Sequence, residues 1–208
     1  MAETDLFQGG RKLPLMEEFY SLQGEGFNTG AASYFIRIGG CDIGCSWCDS
    51  KRSWQADRHP LVDVDEIILR ILKSPCRSLL VTGGEPTLYD LEYLTIESKK
   101  NNIVLFLETS GAYELSGDWD WICLSPKRQN PPLPEYYTKS HELKVIIYGN
   151  KDFEWAEEMA GRVHSGCHLF LQPEWSRKDE MTKAIIAYIR ENPKWRISMQ
   201  THKVWGIP

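Results

Sequence analysis

The sequence predicts an α/β fold: an incomplete β/α barrel with reduced helix content, in a single domain spanning 1–208. Three observations carry that prediction. Short apolar runs alternate with amphipathic stretches, the pattern of βαβ units building a parallel sheet. The chain has 208 residues, whereas a full eightfold barrel takes about 250. Two connections, 109–120 and 126–141, lack a helical pattern. The first carries Gly111 and Gly117, the second Pro126, Pro131, Pro132 and Pro134.

The elements follow in order. Residues 1–15 read as a ragged leader. A strand at 33–38 is closed by Gly39 and Gly40. A helix at 63–73 aligns Val64, Ile67, Ile68, Ile71 and Leu72 on one face. Asp63 and Glu66 have capping-box spacing, and Ser74-Pro75 ends that helix. A buried strand occupies 79–82, and Pro86 suits the first turn of a helix running to about 100. Further strands fall at 103–108, 121–124, 143–147 and 168–172. A helix at 179–190 stops at Asn192-Pro193. A last strand at 196–200 leaves a tail ending at Pro208, so 196–208 reads as a C-terminal strand and active-site tail.

Composition excludes several classes. Hydrophobic residues make up 42% and charged residues 25%, as in ordinary soluble domains. No apolar run approaches the roughly 18 residues of a membrane span. The polar, acidic start Met1-Ala2-Glu3-Thr4-Asp5 is neither a signal nor a transit peptide. With 24 basic and 29 acidic residues the net charge is −5, which disfavours sequence-independent nucleic-acid binding. The eight tryptophans are scattered and form no stacking platform. Cys41, Cys45 and Cys48 are crowded together, while Cys76, Cys123 and Cys167 are isolated. That usage is poor for a disulfide scaffold and suits a cytoplasmic chain with one metal or redox centre and three buried thiols.

In parallel sheets ligands sit at the carboxyl ends of strands. The chemistry-bearing motifs lie there: Cys41 to Cys48 after the first strand, Gly83-Gly84-Glu85-Pro86 after the second, Ser110 after the third, and Ser125-Pro126-Lys127 after the fourth. Gln172-Pro173-Glu174 and Gln200-Thr201-His202-Lys203 follow later strands. Cys41, Cys45 and Cys48 form C-x3-C-x2-C. A structural zinc site would want four ligands, usually as two spaced pairs, and no fourth falls at such spacing. Three thiolates on one loop suit a [4Fe–4S] cube with one iron open.

C-x3-C-x-aromatic-C, with Trp47 in the aromatic slot, together with Gly-Gly-Glu-Pro, resembles the radical S-adenosylmethionine (SAM) enzymes. Leu22-Gln23-Gly24-Glu25-Gly26, Arg37, Trp47-Cys48-Asp49-Ser50, Thr82, Ser125-Pro126-Lys127, Gln172-Pro173 and the terminal Gln200-Thr201-His202-Lys203 resemble, more narrowly, the 7-carboxy-7-deazaguanine synthases. That resemblance runs from about residue 17 to the C-terminus. It implies ring contraction of 6-carboxy-5,6,7,8-tetrahydropterin to 7-carboxy-7-deazaguanine with loss of ammonia, in queuosine and 7-deazapurine biosynthesis. The reduced cluster would pass an electron to SAM, the 5′-deoxyadenosyl radical would take hydrogen from C6, and SAM would be regenerated. It further implies Mg²⁺, a reducing donor such as flavodoxin or ferredoxin, and a homodimer.

By the same resemblance Cys41, Cys45 and Cys48 hold the cluster and Ser50 is the Mg²⁺ ligand, with a turn cap as the competing role. SAM contacts map to Trp47, Gly84, Glu85, Ser110, Ser125, Pro126, Lys127, Gln172, Pro173 and Glu174. For Ser110 taken singly, a loop cap competes. Substrate contacts map to Leu22, Gln23, Gly24, Arg37, Thr82 and Pro208. The guanidinium fork of Arg37 can bind a carboxylate bidentately. The apolar segment before Pro208 either brings the terminal carboxylate to the pterin or merely plugs the barrel end. A glycyl-radical activase and a zinc-stabilised binding module are the competing functional classes. Roles for Gln200, His202 and Lys203 are not assigned by the sequence.

Overall fold

A computed structural model describes residues 6–208. Its strands are β1 (Lys12–Leu22), β2 (Ala32–Ile38), β3 (Leu61–Asp63), β4 (Ser78–Gly83), β5 (Val104–Thr109), β6 (Trp121–Leu124), β7 (Glu142–Ile147), β8 (His168–Pro173) and β9 (Trp195–Ile197). Its α-helices are α1 (Val64–Lys73), α2 (Glu92–Lys100), α3 (Pro134–Lys139), α4 (Lys151–Ala160), α5 (Lys178–Glu191) and α6 (Thr201–Trp205). The strands join one open sheet in the order β3-β1-β2-β4-β5-β6-β7-β8-β9. From β2 to β9 all pairings are parallel, while β1 runs antiparallel to both β2 and β3. This is the partial barrel the sequence predicts.

Strand alternation sets the two faces of the sheet. Leu79 and Val81, Leu105 and Leu107, Ile122 and Leu124, and Leu143, Val145 and Ile147 all join the hydrophobic core. That core also takes Ile67, Ile68 and Ile71 from α1, Met159 from α4, and Met181 and Ile185 from α5. The intervening residues face the opposite way. They include Arg37, Thr82, Glu108, Lys144 and Gln172, and all five line a cavity. A parallel sheet covered on both faces would be apolar throughout. Here the concave face is polar because it encloses a site.

Several expectations need correction. Residues 12–15 are not leader but the start of an 11-residue strand, with Leu13 fully buried and Leu15 nearly so. Residues 1–5 lie outside the described residues. Asp63 does cap α1, accepting from the Asp65 amide at 3.0 Å, but Glu66 pairs with Arg70 at 2.9 Å instead of closing the capping box. The helix expected from Pro86 onward is divided. A 3₁₀ turn at Pro86–Leu88 ends at an extended Tyr89, and Asp90 accepts from the Glu92 amide as α2 begins. The proline-rich 126–141 stretch still holds α3, with Pro134 in its first turn. α4 was not expected. Its stripe of Ala156 and Met159, flanked by Phe153 and Ala160, is short and interrupted by charge.

The last strand stops at Ile197, not at 200. Beyond it the chain turns back. Thr201 donates from its amide and its hydroxyl to the Gly24 carbonyl, at 2.9 and 2.8 Å. The Gly26 amide donates to Ser198 Oγ at 2.9 Å. Gly206, at φ 68°, ends α6 in the left-handed region, and Ser21 Oγ donates to the Pro208 backbone oxygen at 3.3 Å. The tail thus links the β9 edge back to the end of β1.

Leu13→Ala should cost about 2–4 kcal/mol, because a fully buried leucine is truncated in a core. Urea unfolding of the wild type and the variant checks this. A dispensable leader would show no shift in midpoint.

Candidate active site

The concave face encloses a cavity of about 540 Å³, within the size range of small-molecule sites. Three cysteines enter it from the loop after β2. Cys45 is buried and packs with Ile43 and Ala112, against which Cys41, Trp47, Cys48 and Tyr113 also lie. The Tyr113 hydroxyl donates to Asp42, fastening this loop to the connection after β5. Burial pushes the Cys41 and Cys45 thiols up, and at Cys45 the Lys127 ammonium partly offsets that. The Lys127 Nζ lies 5.8 Å from the Trp47 ring centroid. It donates to both the carbonyl and the hydroxyl of Ser125.

The glycines after β4 permit close approach to the cysteine loop. A Cβ on Gly84 would lie 2.1 Å from the Gly40 carbonyl oxygen and 2.9 Å from Cys41 Cβ. The Gly84 amide donates to Ile38 O and the Glu85 amide to Gly40 O, each at 2.8 Å. The Glu85 carboxylate turns inward and is fully occupied. Oε1 accepts from the Thr87 amide and hydroxyl and from Thr109 Oγ1, at 3.2, 2.8 and 2.5 Å. Oε2 accepts from the Ser110 amide and hydroxyl, at 2.7 and 2.5 Å. Glu85 and Ser110 both border the cavity, yet their side chains bind each other.

Deeper in the cavity sits a buried ammonium that sequence reasoning missed. Lys144 is 4% exposed and pairs with Glu25 at 2.5 Å and Glu108 at 3.5 Å. Burial would push the Glu25 carboxyl up, but Lys144 and the bond from Gln200 at 2.8 Å hold it down to about 2. Burial would push the Lys144 ammonium down, but the surrounding acidic groups outweigh it and push it well up. Glu108 also accepts from Gln23 Nε2 at 2.9 Å and from Thr82 Oγ1 at 3.4 Å. The signal for these residues was available. Lys144 and Glu108 occupy cavity-side positions of largely apolar strands, in ELKVII and VLFLET.

Of the sequence-derived residues, Pro126 alone does not border the cavity. It is buried behind Ser125 and Lys127. Arg37 pairs with Glu17 through Nε at 2.6 Å, which leaves its terminal nitrogens outside that bond. Ser50 opens the 3₁₀ turn Lys51–Ser53, but its hydroxyl makes no capping bond. Gln172 Oε1 accepts from Ser198 Oγ at 2.6 Å, and Glu174 caps the turn at Trp175–Arg177 through Ser176. Gly24 touches the tail: a Cβ there would lie 2.3 Å from His202 Nδ1. Leu22, Gln23, Gly24, Thr82 and Pro208 share one cavity with the cysteines.

Comparison with known proteins agrees with this arrangement. Residues 35–120 match the Radical SAM superfamily. A 7-carboxy-7-deazaguanine synthase of Flavobacterium psychrophilum is 54% identical, covering 96% of this chain and 94% of that protein. One from Synechocystis is 44% identical over 93% of each. The crystal structure of QueE from Escherichia coli superposes with a TM-score of 0.81 at 29% identity, covering 96% of this chain and 99% of that one.

Glu85→Gln should destabilise the protein by about 1–3 kcal/mol, because an amide NH2 would face N–H and O–H donors and leave buried groups unpaired. Thermal unfolding measures the loss. A variant as stable as wild type would show that the carboxylate is not the organiser of these loops.

Proposed function

Since the chain belongs to the 7-carboxy-7-deazaguanine synthase family, within the radical SAM superfamily, we propose that its cavity contracts the ring of 6-carboxy-5,6,7,8-tetrahydropterin to 7-carboxy-7-deazaguanine, with loss of ammonia. The supporting observation is that Gln23, Gly24, Arg37, Thr82 and Pro208 border the same cavity as Cys41, Cys45 and Cys48. The product feeds queuosine and 7-deazapurine synthesis.

The donor set fits a [4Fe–4S] cluster. Three thiols project from one short loop, one of them buried among Ile43 and Ala112, and thiolates are the usual ligands of such cubes. The cluster and SAM together supply a hydrogen-abstracting radical, the chemistry that protein side chains cannot perform. The chain's own residues bind, orient and exclude water. Trp47, the backbone at Gly84, Ser125, Lys127, Gln172, Pro173 and Glu174, which line the cavity with the cysteines, would hold SAM. Arg37 receives the substrate carboxylate, since its pairing with Glu17 leaves a fork available. The Pro208 carboxylate accepts two adjacent N–H groups of the aminopyrimidine edge. Ser50, with a hydroxyl free of capping duty, would offer a hard oxygen to Mg²⁺. A flavodoxin- or ferredoxin-type protein delivers the electron, and the enzyme works as a homodimer.

Anaerobic turnover of the carboxytetrahydropterin with SAM and a reductant tests the reaction. Cys41→Ala, Cys45→Ala and Cys48→Ala should each lose bound iron, whereas Cys76→Ala and Cys167→Ala should keep it. Loss of iron in the second pair with an intact fold would contradict the ligand assignment. Ser50→Ala should raise the Mg²⁺ concentration needed for half-maximal rate and leave SAM binding nearly unchanged. An identical Mg²⁺ response would place the ligand elsewhere. Adding one glycine after Pro208 moves the carboxylate by about 3.5 Å and should raise KM for the pterin. Unchanged KM and kcat would remove the carboxylate from the site.

A further inference from the structure

Beyond the binding residues, the tail is tied to the cysteine loop at Asp49 by two side chains that carry no assigned role, the charged Lys203 and the neutral Gln200. Lys203, on α6, donates to Asp49 Oδ2 at 2.7 Å and to Gln200 Oε1 at 2.9 Å. Its ammonium also lies 4.9 Å from the Trp175 ring centroid. Gln200 in turn donates to Asp49 Oδ2 at 3.1 Å and to Glu25 Oε1 at 2.8 Å. Three cavity-bordering segments therefore meet at Lys203: the loop carrying Cys48, Asp49 and Ser50, the turn after β8, and the tail that ends at Pro208.

Apart from Lys203 and Gln200, the tail bonds to segments away from the cysteine loop. Thr201 binds Gly24, Ser198 binds Gly26, and Ser21 binds the Pro208 oxygen. These hold the tail against the end of β1 and the loop after it. Asp49 is the contact on the cysteine loop, between a cluster cysteine and Ser50. A pair as exposed as this contributes little to global stability. Its geometric effect is larger, because it sets the separation between the two ends of the cavity.

We infer that Lys203 is a positioning residue: its pairing with Asp49 keys the C-terminal tail to the cysteine loop, so that the groups holding the two ends of the pterin stay in register. This rests on the pterin reading above. Without the ion pair, only the neutral Gln200 bond to Asp49 would relate the terminal carboxylate to the Ser50 hydroxyl, and substrate would lie off line from the radical source. A displacement of about 1 Å can cost a hundredfold in rate.

The test uses the full-length holoenzyme, prepared anaerobically, as wild type, Lys203→Met, Lys203→Arg, Asp49→Asn and the Lys203→Met/Asp49→Asn double variant. Methionine keeps a stem over Trp175 and removes the charge. Iron content and SAM affinity should stay within about twofold of wild type. KM for the pterin should rise about tenfold in Lys203→Met, with more 5′-deoxyadenosine released per product formed. Lys203→Arg should recover most of that loss, and the double variant should be scarcely worse than either single one, as coupled partners require. Hydrogen exchange, measured without substrate, should speed up together in segments 46–53 and 199–208 of both single variants. Unchanged KM in Lys203→Met, SAM affinity falling in parallel with pterin affinity, additive single effects, or exchange unaltered in 46–53 would each overturn the inference. Coupled exchange in an enzyme whose wild type does not turn over the pterin would instead refute the substrate reading and leave the key in place.

Discussion

A lysine ammonium buried at the centre of the concave sheet face constrains much of the architecture around it. Lys144 cannot sit there unpaired, since an isolated buried charge costs several kcal/mol. Glu25 and Glu108 meet it. Glu25 comes from the loop after β1, so that loop must fold into the barrel. Gln200 then joins Glu25, which draws in the tail. Gly26, at φ 66°, lets the loop pass Glu142, whose carboxylate accepts from the Phe27 amide at 3.1 Å. Loop, strands and tail are therefore organised around one charge. Removing one partner of such a pair costs about 3–5 kcal/mol, although the intact pair adds little to stability over an apolar replacement. What it contributes here is a polar interior shaped for a polar ligand.

The opposite end of the cavity follows a different logic. Around the cysteines the loop packs on Ile43, Ala112 and Tyr113, and its order is imposed from the backbone side by the glycines after β4. Glu85 accepts five hydrogen bonds from Thr87, Thr109 and Ser110, so the segments that follow β4 and β5 are locked to each other. The side chain first associated with ligand binding is spent on scaffold, while the backbone beside it stays close to the cysteines. One end of the cavity carries the cysteines on a loop packed among Ile43, Ala112 and Tyr113, the other a buried lysine between two carboxylates. A reactive group held at the first can act on a polar molecule held at the second.

The sequence and the fold agree wherever the signal is local. The amphipathic face of α1, the strands at 121–124 and 168–172, and the motif loops at strand ends all stand where periodicity and turn residues place them. The misses share a cause. β1 carries Pro14, Met16, Glu17 and Glu18 and shows no clean alternation, because its pairing with β2 is irregular between Leu15 and Glu17. α4 lies on the sheet through few large side chains, so its apolar stripe is weak. The final strand was drawn too long because Ser198 and Gln200 are buried polar residues bonded to distant partners.

The sequence by itself determined the chemistry available to this protein. The spacing of Cys41, Cys45 and Cys48, the Gly83-Gly84 turn and the alternation of strand and helix are short-range facts, fixed by covalent spacing and backbone preference. Only the tertiary structure decided which polar groups would be free to meet a ligand. Glu85 and Ser110 occupy each other, and Glu174 caps a turn, whereas the Ser50 hydroxyl is left out of its own turn. Lys144 interrupts an apolar strand and Lys203 lies in a polar stretch of the tail, and only the fold makes one a buried centre and the other a tie between loops. Hydrogen-bonding capacity is finite, and which donor claims which acceptor depends on residues as far apart as 25 positions at Ser110 and Glu85 and 175 at Gln200 and Glu25. No local pattern encodes that choice.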